Sequence, residues 1–345
     1  MIDHPCWGKE NLQLCPLQWG RLPSLCRLPA FALQAPCPRS ALCCPRRFKA
    51  MLKGAGPRKP LIAVCQVTST PDKEHNWASC SQLVREAAGR GATIVFLPEA
   101  FDFIGRNTEE TLSLAEPLEG DHLQRYAKLA RECAVWLSLG GFHERGRDWE
   151  STGRIYNCHL LLDSSGAVAA VYRKTHLFDM ELEGQVSLKE SAYTNPGSEI
   201  TPPVDTPAGK VGLAICYDLR FPEMSLALVQ DGAEILTYPS AFTVATGAAH
   251  WEVLLRARAI ETQCYVVAAA QTGKHHERRT SYGHAMVVDP WGSVVAQCHE
   301  GPGLCYAEVD LAYLHQVRQE MPVCGHRRTD LYGRERAAQE VVPDP

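Results

Sequence analysis

The chain has 345 residues, of which 45% are hydrophobic and 21% are charged. This composition is typical of a soluble globular protein, and it excludes a wholly disordered chain, a collagen-like protein and a coiled-coil fibre. The longest apolar runs have six or seven residues. A membrane-spanning helix needs roughly 18, so we expect no membrane span. The fifteen cysteines are a smaller share of the chain than the roughly 8–10% that marks a secreted disulfide scaffold.

The net charge of −4 hides an uneven distribution along the chain. Residues 1–58 contain nine Lys or Arg and only two acids, a net charge of +7, which leaves −11 for residues 59–345. Six cysteines and several prolines also fall in this leader, and the prolines argue against a stable helix there. The acidic body lacks interleaved aromatic and basic residues, so we expect no nucleic-acid partner.

Two interpretations of the leader can hold together. A basic, acid-poor N-terminus resembles a mitochondrial transit peptide. The alternative is an unstructured extension, with Met51 as a second start that yields a cytosolic form. We therefore expect mitochondrial and cytoplasmic forms. A secretory signal is disfavoured because its apolar candidate, Leu28–Leu33, is short and contains Pro29. Neither compartment favours disulfides, so the nine cysteines after the leader are expected to be thiols.

From Leu61 onward, short apolar runs alternate with amphipathic segments. In chain order, the predicted elements are a strand at Leu61–Val67, a helix at Trp77–Arg90, a strand at Thr93–Leu97, a helix at Asp121–Cys133 capped by Asp121, strands at Val135–Leu139, Ile155–Leu162, Val168–Tyr172 and Val211–Cys216, a helix at Pro222–Gln230, a strand at Glu234–Tyr238, a helix at His250–Gln263, and strands at Cys264–Ala270, Ala285–Asp289, Ser293–Gln297 and Leu304–Val309. Turn residues at Asp163–Gly166 and Asp289–Gly292 predict hairpins. Crossover helices combined with hairpins indicate an α/β fold with helices on one face of a mixed sheet, so a second layer must cover the other face.

Three residues with reactive side chains stand at the ends of predicted strands: Glu99, Lys174 and Cys216. Loops at the carboxyl ends of strands build the sites of open α/β sheets. Each residue alone is a weak signal, because a cysteine among apolar neighbours is usually a buried structural residue. Together they supply a base, a cation and a nucleophile, which is the set that acyl transfer requires.

Longer segments surround these three residues: LPEAF at Leu97–Phe101, YRKTHL at Tyr172–Leu177 and ICYDLRFPE at Ile215–Glu223. They resemble, in the same order, the three signature segments of the nitrilase superfamily of carbon–nitrogen hydrolases. The resemblance covers Leu61 to Gly333 and implies one hydrolase domain at 59–333, followed by a tail at 334–345. The implied fold is a four-layer αββα sandwich. Family members usually associate through their helices, so a homodimer or larger homo-oligomer is implied as well.

The resemblance also implies a role for each reactive residue. Cys216 would be the nucleophile that forms a thioester, and Glu99 the general base and acid. Lys174 and the backbone N–H of Tyr217 would stabilise the oxyanion.

A second glutamate accompanies the lysine in the family. Glu190 fits its position best, whereas Glu181 and Glu183 are closer to Lys174 in sequence but fit the pattern less well. Two carboxylates that share one lysine are expected to favour one protonated acid.

Within the family the chain is most similar to the Nit branch, through the segments VCQVTS at Val64–Ser69, YPSAF at Tyr238–Phe242, HWEVLLR at His250–Arg256 and YGH at Tyr282–His284. This implies hydrolysis of deaminated glutathione, the oxoglutaryl amide of cysteinylglycine, to 2-oxoglutarate and the dipeptide.

Three substrate-binding residues are implied. Arg220 would pair with a substrate carboxylate, although an internal salt bridge with Glu223 or Asp218 is the alternative. Phe242 and Thr246 match positions that line the pocket in Nit-type relatives.

Alternatives from other classes remain open at this point. One is an ω-amidase that acts on 2-oxoglutaramate. Another is a non-catalytic interaction protein, since Nit-type domains are fused to a histidine-triad hydrolase in some animals. A papain-like hydrolase is disfavoured because the expected sequence around its cysteine is missing at Cys216. No histidine forms a metal-ligand spacing with a cysteine, so neither a metal nor another cofactor is expected.

Overall fold

The computed structural model describes residues 58–182 and 186–332. Residues 1–57, which make up almost all of the predicted leader and include Met51, lie outside the described residues, as do Glu183 and the predicted tail at 334–345. The strands in the described part are β1 Leu61–Val67, β2 Ile94–Leu97, β3 Trp136–Glu144, β4 Tyr156–Leu162, β5 Val168–Arg173, β6 Asp179–Leu182, β7 Val186–Lys189, β8 Val204–Thr206, β9 Gly209–Leu213, β10 Ile235–Thr237, β11 Tyr265–Ala268, β12 Ala270–His276, β13 Arg279–Tyr282, β14 Met286–Val288, β15 Val294–Gln297 and β16 Gly303–Glu308. The α-helices are α1 Lys73–Gly89, α2 Thr108–Leu114, α3 Asp121–Cys133, α4 Trp149–Thr152, α5 Pro222–Gln230, α6 Val244–Thr262, α7 Leu311–Glu320 and α8 Thr329–Tyr332, and short 3-10 helices lie at Glu190–Ala192, Cys216–Arg220 and Cys324–His326.

The described strands form two large sheets and a separate hairpin of β6 and β7. The first sheet has eight strands in the order β13-β12-β1-β2-β3-β4-β5, and β16 also pairs with β1. Its central strands β1, β2 and β3 run parallel, and β4 and β5 continue it antiparallel. The second sheet has the order β15-β14-β11-β10-β9-β8, with β9, β10 and β11 parallel.

Strand β1 shows why both faces of the first sheet must be covered. Every residue from Ile62 to Val67 is buried, and successive residues belong to different apolar clusters. Val64 belongs to the apolar cluster that contains residues of the second sheet and of the helices α5 and α6, whereas Cys65 belongs to the cluster that contains residues of α1 and α3. Because side chains alternate across a strand, helices cover one face and the second sheet covers the other. The predicted αββα order of layers is confirmed.

Several predicted elements have the predicted bounds or nearly so. The strand at Leu61–Val67 and the helix at Pro222–Gln230 agree to the residue. Both predicted hairpin turns are present, with the Gly166 and Gly292 amides each bonded to the aspartate carbonyl three residues earlier. The nine cysteines after the leader are free thiols, as expected.

The prediction that Asp121 caps α3 is wrong by one residue. The N-cap is Gly120, which has no side chain to accept a hydrogen bond, and Asp121 is the first helical residue. Glu116 supplies the missing acceptor from outside the helix, because its Oε2 lies 3.1 Å from the His122 nitrogen. A carboxylate at a helix N-terminus also interacts favourably with the helix dipole.

Two other predictions are wrong because the pattern of apolar residues does not mark the boundary of the element. Helix α6 begins at Val244 rather than at His250, because Thr243 caps it and small residues fill its first turns. The apolar run Cys264–Ala270 is not one strand: β11 belongs to the second sheet and β12 to the first. Both strands are buried, so hydrophobicity alone does not reveal the change of sheet.

Candidate active site

The three reactive residues predicted from strand ends lie close together. Glu99 follows β2, Lys174 follows β5 directly, and Cys216 begins the 3-10 helix after β9. The Nζ atom of Lys174 lies 3.0 Å from Oε1 of Glu99, and the Cys216 thiol is close enough to the Glu99 carboxylate to influence its pKa. All three are buried, with Lys174 only 2% exposed. A nucleophile, a carboxylate and a cation therefore share one water-poor site.

Glu190 is the second carboxylate at the lysine. Its Oε2 lies 2.9 Å from Lys174 Nζ and accepts the Phe178 N–H at 2.7 Å. Glu190 reaches this place because it follows the β6–β7 hairpin, an element that the sequence pattern did not predict. Glu190, the candidate that fits the family pattern best, is therefore in contact with Lys174.

Asn157 joins the two carboxylates and was missed by the sequence argument. Its Nδ2 donates to Glu99 Oε1 at 2.9 Å and to Glu190 Oε1 at 3.0 Å. The residue lies in β4, where the predicted strand Ile155–Leu162 is otherwise largely apolar. A carboxamide inside such a run is the signal that could have identified it.

The loop that carries Glu99 lies against a bulge in β3. Ala100 has a left-handed backbone (φ +57°), and its N–H donates to the Gly141 carbonyl at 3.0 Å. A Cβ at Gly141 would lie 2.7 Å from both Cα and Cγ of Glu99, and φ at Gly141 is +72°. Glycine is therefore required here for the close approach of the Glu99 loop and for the backbone conformation.

Asp218 connects the cysteine loop to the lysine strand. The buried carboxylate accepts the Ile215 N–H at 2.8 Å, the Tyr172 hydroxyl at 2.8 Å and a bond from His176 Nδ1 at 2.7 Å. Cys216 itself has φ +45°, a strained conformation for a residue with a side chain. This network holds the sulfur close to Lys174 and leaves Asp218 fully occupied.

Burial and charge set the protonation of the cluster. Burial raises the pKa of Glu99, but the charge of Lys174 and hydrogen bonds from Cys216, Lys174 and Asn157 outweigh it, so the pKa lies below its usual range. Burial, followed by the Glu99 carboxylate, raises the pKa of the Cys216 thiol. Burial lowers the pKa of Lys174, but the carboxylates of Glu190 and Glu99 raise it further, and the net shift is upward.

The resting pair is therefore a thiol next to a carboxylate. The expectation that the shared lysine favours a protonated acid is wrong for Glu99, because the charge of Lys174 and the hydrogen bonds to the carboxylate outweigh the effect of burial.

All eight residues predicted for the site line one cavity of about 780 Å³. They are Glu99, Lys174, Glu190, Cys216, Tyr217, Arg220, Phe242 and Thr246. The described part of the lining holds six cationic side chains and only two carboxylates, those of Glu99 and Glu190. The six cations are Arg106, Lys174, Lys189, Arg220, Arg278 and Arg279. Such a cavity attracts anionic ligands.

Arg220 is half-buried in this cavity. Its guanidinium carbon lies 5.5 Å from the ring centroid of Phe242 and 5.8 Å from that of Tyr217, and its Nη atoms lie 3.3 Å from His250 Nδ1. Among the side chains that the structure describes, which include Asp218 and Glu223, no carboxylate oxygen lies within 4.0 Å of the guanidinium. The alternative of a salt bridge with Glu223 or Asp218 is therefore wrong.

The described residues contain no group of three or more His, Cys, Asp or Glu side chains placed to hold a metal ion. None of their helices combines the length and the apolar character that crossing a membrane requires.

The chain is similar to known proteins over most of its length. The model of the carbon–nitrogen hydrolase family matches residues 61–319. A human protein named deaminated glutathione amidase is 66% identical over 295 residues, which cover 85% of this chain and 90% of the relative. The nitrilase and fragile histidine triad fusion protein of Caenorhabditis elegans is 53% identical over 271 residues, 79% of this chain and 61% of the relative.

Solved structures are similar in fold as well. The crystal structure of the C. elegans fusion protein superposes with a TM-score of 0.76 at 52% identity, covering 80% of this chain and 66% of that chain. An amidase from Nesterenkonia has a TM-score of 0.67 at 25% identity, covering 80% of this chain and 96% of that chain. In that structure, a glutamate-to-glutamine mutant carries the acetamide moiety of fluoroacetamide covalently on its active-site cysteine.

Proposed function

The chain belongs to the carbon–nitrogen hydrolase family, and from this premise we propose that it hydrolyses deaminated glutathione to 2-oxoglutarate and cysteinylglycine. The observation that carries the proposal is the 66% identity, over 85% of the chain, to a relative with this activity in its name. The cationic cavity supports it, because the substrate carries two carboxylates.

In the proposed first half-reaction, the Cys216 sulfur attacks the amide carbonyl carbon while its proton moves to the Glu99 carboxylate. This coupling is needed because the pKa of Cys216 is raised and the thiol is a poor nucleophile. Lys174 Nζ and the Tyr217 N–H stabilise the oxyanion. Glu99 then donates the proton to the departing amide nitrogen, and cysteinylglycine leaves with its free amine.

In the second half-reaction, a water molecule hydrolyses the 2-oxoglutaryl thioester. Glu99, ionised again, takes a proton from the water as it attacks the thioester carbonyl. The tetrahedral intermediate collapses, the C–S bond breaks, and Glu99 returns the proton to the sulfur. Glu190 does not exchange protons in this scheme; it holds Lys174 in place through the 2.9 Å contact.

Arg220 is the proposed partner of the oxo-acid carboxylate, with Phe242 and Thr246 around the same acyl chain. All three line the cavity, and Thr246 is fixed by a 2.8 Å hydrogen bond between its hydroxyl and that of Thr243. A bidentate arginine–carboxylate pair would fix the orientation of the acyl group.

Two other functions remain as alternatives. An ω-amidase would release ammonia from 2-oxoglutaramate at the same cysteine. A link to a histidine-triad hydrolase is supported by the fusion in C. elegans. A purely non-catalytic role in such a link would not explain the buried Glu99–Lys174–Cys216 cluster.

We also propose the two cellular forms that the leader suggests, mitochondrial from the first Met and cytoplasmic from Met51, and a homodimeric or larger assembly. Full-length and Met51-start chains with a C-terminal fluorescent tag test the first point, and light scattering of the purified protein tests the second. A cytoplasmic location of both chains would contradict the proposed transit peptide. A monomer at the concentration of the activity assay would contradict the proposed assembly.

Product analysis tests the proposed reaction. Purified protein incubated with deaminated glutathione should release 2-oxoglutarate and cysteinylglycine in equal amounts, and Cys216→Ser should release neither at a comparable rate. Efficient release of ammonia from 2-oxoglutaramate, with little or no cleavage of deaminated glutathione, would replace the proposal by the ω-amidase function.

A further inference from the structure

A second arginine in the cavity shares the property that singles out Arg220. Arg279 is half-buried at the start of β13, and among the described residues no carboxylate oxygen lies within 4.0 Å of its guanidinium. Arg106, by contrast, lines the same cavity but is paired with Glu110. A partly buried cation without an anion is unfavourable until a ligand supplies one.

Arg279 is anchored in the wall of the cavity that contains the nucleophile. Its Nη2 donates to the Ala241 carbonyl at 2.7 Å. Ala241 and Arg279 both line the cavity together with Cys216 and Tyr193. A guanidinium has five N–H donors, so the single bond to Ala241 leaves donors for a ligand.

Arg220 and Arg279 are half-buried arginines without a carboxylate partner, and they have separate surroundings. Arg220 lies against Phe242, Tyr217 and His250, whereas Arg279 is fixed to the Ala241 carbonyl. Two half-buried guanidinium groups in one cavity match a ligand with two separated carboxylates. Deaminated glutathione has one carboxylate on each side of the amide that is cleaved.

We infer that Arg279 binds the glycine carboxylate of the leaving dipeptide, while Arg220 binds the carboxylate of the acyl group. The inference rests on the proposed function and adds a selectivity residue to it. An amide without a carboxylate on the leaving side, such as 2-oxoglutaramate, gains nothing from Arg279. The side chain therefore favours dipeptide amides over simple amides.

The test compares deaminated glutathione with an analogue in which the glycine carboxylate is a primary amide. For the wild type we expect kcat/KM to be about 10- to 100-fold higher with the carboxylate, the size of one charge-assisted hydrogen-bonded pair. In Arg279→Gln this preference should fall to about 2-fold, mainly through KM. Arg279→Lys should retain part of it, and it replaces the glutamine variant if that variant does not fold.

Two further variants distinguish a specific pair between Arg279 and the glycine carboxylate from a general electrostatic attraction by the cationic cavity. Arg278→Gln removes another arginine of the cavity lining, which is exposed and donates to the Arg106 carbonyl at 2.9 Å, and it should keep the wild-type preference. Arg220→Gln should slow both substrates by the same factor. The inference is overturned if Arg279→Gln keeps the preference, or if Arg278→Gln loses it equally. If the wild type cleaves neither substrate, the proposed function fails as well; if it cleaves both without a preference, only the inference fails.

Discussion

The Nζ atom of Lys174 lies 3.0 Å from Oε1 of Glu99, and both side chains are buried. The lysine charge holds the carboxylate in its ionised form beside a thiol that is still protonated. The base is therefore ready before a substrate arrives, and thiolate is produced only when the proton can move to Glu99. This division of charge leads to a specific pH dependence.

We expect kcat/KM to keep its full value down to about the usual glutamate pKa of 4.3. Glu99 must be ionised to act as a base, and its pKa is lowered, so activity is lost only as the pH falls through that lowered value. The pKa of Cys216 is raised, so no rise in activity from a free thiol near pH 8.5 is expected. A pH profile from about 3 to about 10 measures both limbs, with circular dichroism at each pH as the control for folding. A profile that follows an ordinary cysteine ionisation would refute the coupled proton transfer.

Asn157→Ala should raise the pKa of Glu99 and reduce kcat/KM. The change removes the amide that donates to both carboxylates, and bonds to charged groups are worth about 1.5–3 kcal/mol each, so a 10- to 100-fold loss is expected. The acid limb of the pH profile should move upward. Asn195→Ala is the matched control, because Asn195 also makes two side-chain hydrogen bonds, but to Asp148 and Thr152. Equal losses in both variants would assign Asn157 a structural role only.

Gly141→Ala should displace Glu99 and reduce kcat by more than 100-fold. The new Cβ would meet the Glu99 loop at 2.7 Å in a left-handed backbone. Gly153→Ala separates the steric overlap of the Cβ from the strain of the left-handed backbone. Gly153 has φ +61°, but nothing lies within 4 Å of the added Cβ. We expect the control to lose about 1 kcal/mol of stability and to keep its activity. Comparable activity in Gly141→Ala would show that the loop tolerates displacement.

The free energy of unfolding should fall as the pH drops from about 6.5 to 4, partly because of His159. Its ring lies between Ser138 and the Ala214 carbonyl, at 2.7 and 3.0 Å, and burial lowers its pKa to about 4. The unfolded state takes up the proton first, so stability is highest above pH 6.5 and is lost toward pH 4, by about 3 kcal/mol for this group.

Urea unfolding at several pH values measures this slope. His159→Gln should be less stable at pH 7 but should show a smaller loss on acidification, whereas His75→Gln, at an exposed position, should leave the slope unchanged. An unchanged slope in His159→Gln would contradict the assignment.

The sequence predicts those elements whose pattern of apolar residues reflects their burial in the fold. Strand β1 and helix α5 were located to the residue because an apolar run and a proline mark them. The change of sheet between β11 and β12 was not predicted. The two strands are similarly apolar, although they belong to different sheets. The β6–β7 hairpin that precedes Glu190 was missed, although polar and apolar residues alternate along both of its four-residue strands.

The site was predictable through its sequence segments rather than through periodicity. Glu99, Lys174 and Cys216 stand at strand ends that the fold brings together, as the resemblance implied. Asn157 and Arg279 were not found, because their positions follow from cross-strand pairing and from the loop at Ala241. The partner of Arg220 was left open by the sequence, and the structure excludes Asp218 because three other groups already occupy it.

The central claim is that Cys216 forms a thioester with the acyl half of the substrate. Rapid quenching of the enzyme during turnover of deaminated glutathione, followed by proteolysis and mass spectrometry, measures this directly. The peptide that contains Cys216 should gain the mass of one 2-oxoglutaryl group, and the same gain should appear with 2-oxoglutaramate. Cys216→Ala should show neither the adduct nor turnover while remaining folded. An adduct on another cysteine, or turnover that persists in Cys216→Ala, would contradict the account.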